Sequence, residues 1–388
     1  MIIKNASVYT EEGRFETRAI YTAGEVFASE PEEAEGEVID GEGCFAIPGL
    51  TDIHFHGCAG HDFCDGTLEA IDRIARYEAG IGVTAIVPAT MTMDEDTLYA
   101  ACEAAHKYRQ EQEAGQRKGT ALLWGIHMEG PFFSAKRLGA QNPVYLRKPD
   151  TELYEEMQKR SGGMIRLVSL APELEGAMEF IRRYKGEVIL SLAHTAADYD
   201  TAMKAFEMGA THVTHLFNGM ESFSHRAPGV PGAAADAGVE AELICDNVHL
   251  HPSVVRSAIR ILGEDKVLLV SDSMRATGLV DGTYLLGEQQ VTVTGNRAAL
   301  AGGALAGSVT NLMQCMRIAV KEMGIPLETA VKCAAVNTAK SVGLYDRCGS
   351  ISAGKYANLV LLDREDLSVR QVILRGEKIL VEKCGDIR

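Results

Sequence analysis

The sequence predicts an α/β protein whose central block closes into a TIM-type (β/α)8 barrel, accompanied by a small β domain built from both chain termini. Three observations carry this. Short apolar strands alternate with amphipathic helices over roughly 250–300 residues, the span such a barrel needs. Both ends of the chain have β texture instead. The length of 388 residues exceeds one ordinary compact domain. We place residues 1–48 plus 346–388 in the β domain and residues 49–345 in the barrel.

The elements follow in order. Ile2–Tyr9 and Arg18–Phe27 carry β-formers separated by a Glu-Glu-Gly turn. The acidic stretch 30–43, EPEEAEGEVIDGEG, reads as a solvated loop. After Pro48-Gly49 the texture changes. Leu50–His56 is a strand, and Leu68, Ile71, Ala75 and, more loosely, Ile74 then form an apolar stripe at helical spacing, ended by Gly80 and Gly82. Further strands are expected at Val83–Pro88, Ala121–Met128, Ile165–Leu170, Val188–Ala193, Thr211–Leu216, Ala241–Cys245 and Val267–Val270. Helices are expected at Met178–Tyr184, Thr201–Met208 and Ser253–Leu262. Residues 282–303 break the rhythm as β-hairpin material inserted late in the barrel. Thr310–Met323 and Pro326–Val342 are helical, and Ala357–Asp363 and Val369–Val381 return to strands.

The formal net charge of −16 argues against binding a nucleic-acid backbone or an anionic membrane. A small anionic substrate stays open, given a local cluster of donors. No run of about 18 apolar residues is present, so no membrane span is expected, and the N-terminus lacks the pattern of a signal peptide. Nine cysteines without a CxxC pair read as reduced thiols of a cytoplasmic chain, Cys58 among them as a packing residue.

The chemistry lies at strand exits. His54 and His56 stand at i and i+2, which on a strand brings both imidazoles to one side, where they can chelate one metal. Glu129 arrives where an apolar strand ends at Gly130-Pro131; a carboxylate there is costly unless a metal or a base pairs with it. His194, His215 and Asp272 each close another apolar run. Isolated HxH pairs are common, but four strand ends that all present a histidine or a carboxylate are hard to explain as packing. His127 and His212 read as packed residues. The donor set suits zinc, iron, manganese or cobalt, and such an ion lowers the pKa of a bound water to about 7. Asp272 is the natural general base. Arg226, His249 and the Asn218-Gly219 backbone are candidates for holding an anion, with weaker claims for His225 and His251.

Together PGLTDIHFHG, HMEGPFF, AHT, THLFNGM, CDNVHLHP, SDSMRATG and LAGSVTNL, followed by the tail GSISAGKYANLVLLD, resemble the N-acetylglucosamine-6-phosphate deacetylase family of the amidohydrolase superfamily. The resemblance implies a (β/α)8 barrel with a small β-sandwich, and hydrolysis of the acetamide of N-acetylglucosamine 6-phosphate to glucosamine 6-phosphate and acetate. It implies that Glu129, His194 and His215 bind the principal metal, zinc first among the candidates. Asp272 would be the acid/base, and Arg226, His249 and Asn218-Gly219 would hold the sugar phosphate. The resemblance implies one or two divalent metals per subunit: His54 and His56 are both present and leave room for a second, with Glu129 bridging. Where some members carry a histidine that polarises the amide carbonyl, this chain has Gln141, which can donate a hydrogen bond but no charge. The family also implies a homodimer. The competing expectations are a deacetylase of N-acetylgalactosamine 6-phosphate, a hydrolase of another amide, and a scaffold that has lost its metals.

Overall fold

The computed structural model describes residues 1–30 and 36–381. Eight parallel strands form a ring: Leu50–Asp52, Val83–Ile86, Leu122–Leu123 continued by Ile126–Glu129, Ile165–Leu170, Ile189–Leu192, His212–Val213, Glu240–Ile244 and Val267–Val270. Ladder pairing joins them in sequence order, with the third strand interrupted at Trp124-Gly125 and tied to the second by a parallel bridge from His127 to Ala89. The ring closes where the Asp272 N–H donates to the His54 carbonyl at 2.9 Å and the Ser271 hydroxyl donates to Asp52 at 2.5 Å. The fold is thus the predicted (β/α)8 barrel.

Side-chain alternation sorts each strand. Val168, Leu170, Leu190, Leu192, Ala241 and Leu243 face the surrounding helices in the main core. Leu167, Ile244, Leu268 and Val270 belong to a separate apolar cluster inside the ring. Ser169, Ser191, His212, Thr214 and Glu242, on the same alternation, are fully buried polar residues. The interior therefore has a polar layer, and the site stands on it.

The chain ends form two sheets around one apolar core. One has four strands, ordered Val26–Ala28, Ile20–Ala23, Ile2–Lys4, Val38–Asp40. The other has six, ordered Glu377–Ile379, Val369–Leu374, Leu359–Asp363, Cys44–Pro48, Ser7–Tyr9, Phe15–Thr17. Alternation gives the six-stranded sheet two apolar faces. Ala46, Leu359, Leu361 and Ile373 fill the small core. Ile47, Val360, Leu362, Val372 and Leu374 join the main core of the barrel.

Several expectations change. Of the stretch 30–43 read as a loop, residues 31–35 lie outside the described residues, and Val38–Asp40 is a strand paired in parallel with Ile2–Lys4. Residues 382–388 of the C-terminal segment also lie outside them. The first barrel strand stops at Asp52, so His54 and His56 lie just beyond it and not on it. Residues 282–303 do hold inserted strands, but three of them: Gly282–Leu286, Gln289–Thr294 and Arg297–Leu300. Helices at Glu95–Glu113, Thr151–Arg160 and Gly229–Ala237 were not expected.

Candidate metal centre

His54 and His56 follow the first barrel strand, Glu129 ends the third, and His194, His215 and Asp272 follow the fifth, sixth and eighth. All lie at the end where barrel sites are built. His194, His215 and Asp272 have φ of 43°, 31° and 48°, a left-handed backbone unusual for side chains larger than glycine. That conformation costs of order 1 kcal/mol per residue, and here it turns the chain off the strand and aims each side chain across the mouth. Gly219 makes room: a Cβ there would lie 3.0 Å from His194 Nδ1, and its own φ is +62°.

The donors fall into two sets, His54–His56–Asp272 and Glu129–His194–His215, with the atoms of each within 4.8 Å of one another. Glu129 stands between them. Its Oε1 is 3.3 Å from His194 Nε2, 3.2 Å from His215 Nε2 and 3.6 Å from His54 Nε2; its Oε2 is 3.5 Å from His56 Nε2. Asp272 Oδ1 lies 3.3 Å from His56 Nε2 and 3.7 Å from His54 Nε2.

A divalent cation fits this arrangement. His54 donates its Nδ1–H to Glu242 at 2.7 Å, so its lone pair is on Nε2. That Nε2 is buried and has no hydrogen-bond partner among the described residues. His194 donates its Nδ1–H to the Arg137 carbonyl at 2.9 Å, leaving its Nε2 only 3.1 Å from His215 Nε2. Imidazole nitrogens and carboxylate oxygens that converge this closely, with ring tautomers fixed from behind, form a binding site for a cation.

Without a cation the ring keeps a second proton: burial pushes the His54 pKa down, but the Glu242 carboxylate outweighs it and carries it up to about 10, so a bound ion takes the place of the Nε2 proton. Burial likewise pushes the Asp272 carboxyl up, and the imidazoles of His56 and His54 outweigh it, bringing it to about 2. Asp272 is therefore ionised at neutral pH.

A cavity of about 260 Å³ opens beside the donors, lined in part by Gln141, Asn218, Gly219, His249 and Asp272. His249 donates its Nδ1–H to Asp246 at 2.7 Å. Burial lowers its pKa and the Asp246 carboxylate outweighs this, so the net shift is upward. Gln141 is fully engaged: its oxygen accepts from the Thr92 N–H at 2.9 Å and its Nε2 donates to Glu129 Oε2 at 2.7 Å. Arg226 is not among the cavity-lining residues. It is exposed on the segment leading from the sixth strand to helix Gly229–Ala237, as is His225. His251 caps the helix Pro252–Leu262.

Some participants were not singled out from the sequence. Ala304, Leu305 and Gly307 line the cavity, the last two within the LAGSVTNL motif. Asp246 orients His249, and CDNVHLHP held both residues.

The fold and the donor set define a barrel of the metal-dependent hydrolase class, and the chain belongs to the amidohydrolase family, whose model matches residues 45–379. Within that family its relatives are specific. It is 36% identical to the N-acetylglucosamine-6-phosphate deacetylase of Bacillus subtilis (strain 168), across 99% of this chain and 95% of that protein. It is 32% identical to the N-acetylgalactosamine-6-phosphate deacetylase of Escherichia coli O157:H7, across 97% and 98%. A solved structure of a mutant N-acetyl-D-glucosamine-6-phosphate deacetylase from Mycobacterium smegmatis, in complex with N-acetyl-D-glucosamine-6-phosphate, superposes with a TM-score of 0.88. It is 31% identical and covers 97% of this chain and 98% of that one.

Proposed function

We propose that the chain is a metal-dependent deacetylase that hydrolyses N-acetylglucosamine 6-phosphate to glucosamine 6-phosphate and acetate. The observation that carries this is the convergence of five donor side chains around Glu129 beside a cavity that Asp272 faces. The full-length similarity to deacetylases of phosphorylated amino sugars supports the substrate class.

In this reading Glu129, His194 and His215 hold the principal ion and His54, His56 and Asp272 a second, with Glu129 between them. Zinc suits these donors best, and iron, manganese or cobalt suit them too. When bound, the metal supplies Lewis acidity and a water of lowered pKa. The remaining work belongs to the chain. Asp272 accepts a proton from the attacking water as its oxygen adds to the acetamide carbon. Asp272 then returns that proton to the amine nitrogen as the carbon–nitrogen bond breaks, releasing acetate and the free amine. Asn218-Gly219, His249 and Arg226 hold the sugar phosphate. Gln141, with both amide atoms engaged, acts on the site through Glu129 and not on the substrate carbonyl.

We read residues 49–345 as the catalytic barrel and residues 1–48 plus 346–388 as a supporting β domain, in a cytoplasmic homodimer. The eight cysteines among the described residues are all free thiols, which supports a reducing compartment. Among the described residues no helix is long and apolar enough to cross a membrane.

The test is amine release by protein purified with a divalent metal. N-acetylglucosamine 6-phosphate, its unphosphorylated form and the galacto epimer are compared. Turnover that requires metal and phosphate and favours the gluco sugar is the expected result. Preference for the galacto epimer would support the second reading, which the E. coli relative favours. No turnover with metal bound would sink both.

A further inference from the structure

We propose that Glu242, which the hydrolysis scheme does not use, is the positioning residue that presets His54 as a metal ligand and ties it to His215. The proposal deepens the two-ion reading above and rests on it. Glu242 lies within the seventh barrel strand, Glu240–Ile244. Its neighbours Ala241 and Leu243 face the helices, whereas Ile244, two residues on, belongs to the cluster inside the barrel. Alternation therefore points Glu242 into the barrel, where it is fully buried. A carboxylate in that position is costly unless its charge is used.

One oxygen does two jobs. Glu242 Oε2 accepts from His54 Nδ1 at 2.7 Å and from the backbone N–H of His215 at 2.9 Å. The first bond leaves the His54 lone pair on Nε2, the atom that faces the donor cluster. The second bond fixes the backbone at His215, a residue with φ of 31°. His54 and His215 belong to different donor sets, so a single buried carboxylate ties the two sets together from below.

The surroundings hold His54 from a second side. Its ring packs edge-on against His127, with centroids 4.6 Å apart. His127 is anchored in turn: its Nδ1–H donates to the Ile53 carbonyl at 3.2 Å, and its Nε2 then accepts from Ser169 Oγ at 2.7 Å. Hydrogen bonds continue from Ser169 to Thr214, Ser191 and His212 at 2.7, 2.6 and 2.8 Å. The chain ends with His212 Nε2 at 3.7 Å from the other oxygen of Glu242. The floor of the site is thus a continuous polar layer running from one side of His54 to the other.

The test is metal binding without substrate. Metal-free protein is titrated with cobalt(II), read by visible absorption and by elemental analysis of bound ions. The variants are His54→Ala, Glu242→Leu and Glu242→Gln. The wild type is expected to bind in two steps, one of which His54→Ala abolishes. Glu242→Leu should weaken that same step by about 10- to 100-fold and, because the His215 N–H also loses its acceptor, the other by a smaller factor. Glu242→Gln keeps an acceptor oxygen and should weaken the step less, by under about 10-fold. If Glu242→Leu fails to fold, Glu242→Gln decides. If the wild type shows a single step, that step must weaken in Glu242→Leu as it does in His54→Ala. Wild-type affinity in the Glu242 variants, or equal weakening of both steps, overturns the proposal. An inactive wild type with intact cobalt binding would overturn the substrate reading alone.

Discussion

At the scale of single residues, Asp272 and Gln141 separate chemistry from scaffolding. Asp272→Asn keeps an oxygen toward the donors and loses the proton acceptor, so kcat should fall by about 10²- to 10⁴-fold. Elemental analysis should still find bound metal; loss of metal in parallel with activity would make Asp272 a ligand only. Gln141 donates to Glu129 Oε2 at 2.7 Å. Gln141→Ala removes the bond that holds Glu129 in place and should weaken metal binding; unchanged affinity in a metal titration would refute this role. The donor residues were legible because several apolar runs each end on a histidine or a carboxylate, a combination that barrel strand exits explain. Glu242 was not. In Glu240–Ile244 its position alternates with Ala241 and Leu243, and a sequence cannot say which face of such a strand is the inner one until the ring closes. Asp246 was hidden for a related reason, since its role exists only through the ring nitrogen of His249.

At the scale of elements, legibility depended on how apolar the buried face is. Helix Leu68–Gly80 buries Ile71 and Ile74 and was visible. Helix Glu95–Glu113 buries Leu98 and Tyr108, but between them only the small Ala101, Cys102 and Ala105, which leave a faint stripe among charges, and it was missed. Its start is nonetheless encoded, because the Asp94 side chain accepts from the Thr97 N–H at 3.0 Å. The first of these helices also carries a stability prediction. Glu78 is fully buried, and burial, with Asp52 adding to it, raises its pKa well above 4.5. A folded-state pKa above the unfolded value means that stability is complete below pH 4.5 and is lost as pH rises through the folded value. Glu78→Gln removes this titration. The melting temperature of the variant should therefore gain on that of the wild type between pH 5 and pH 8, and a constant difference across that range would sink the idea.

At the scale of the whole molecule, the question is how a chain of net charge −16 captures a phosphorylated sugar. The global field repels the substrate, so local donors must win at short range, where screening is weak. Among the cavity-lining residues outside the donor cluster, His249 is a histidine whose charge the structure favours: Asp246 accepts from its Nδ1–H and overcomes the effect of burial. Its imidazolium is thus retained above the ordinary histidine range and lost as pH rises further. The substrate phosphate gains its second charge at about pH 6. KM for the phosphorylated sugar should accordingly be lowest between these two titrations and rise on the alkaline side. Asp246→Asn removes the carboxylate and leaves burial to act alone, so the rise in KM should begin at lower pH. KM for the unphosphorylated sugar should stay flat in both proteins, because it has no anion for the imidazolium to hold. An alkaline rise that Asp246→Asn does not move, or one shared by the unphosphorylated sugar, would assign phosphate binding to Arg226 or to the Asn218-Gly219 backbone instead.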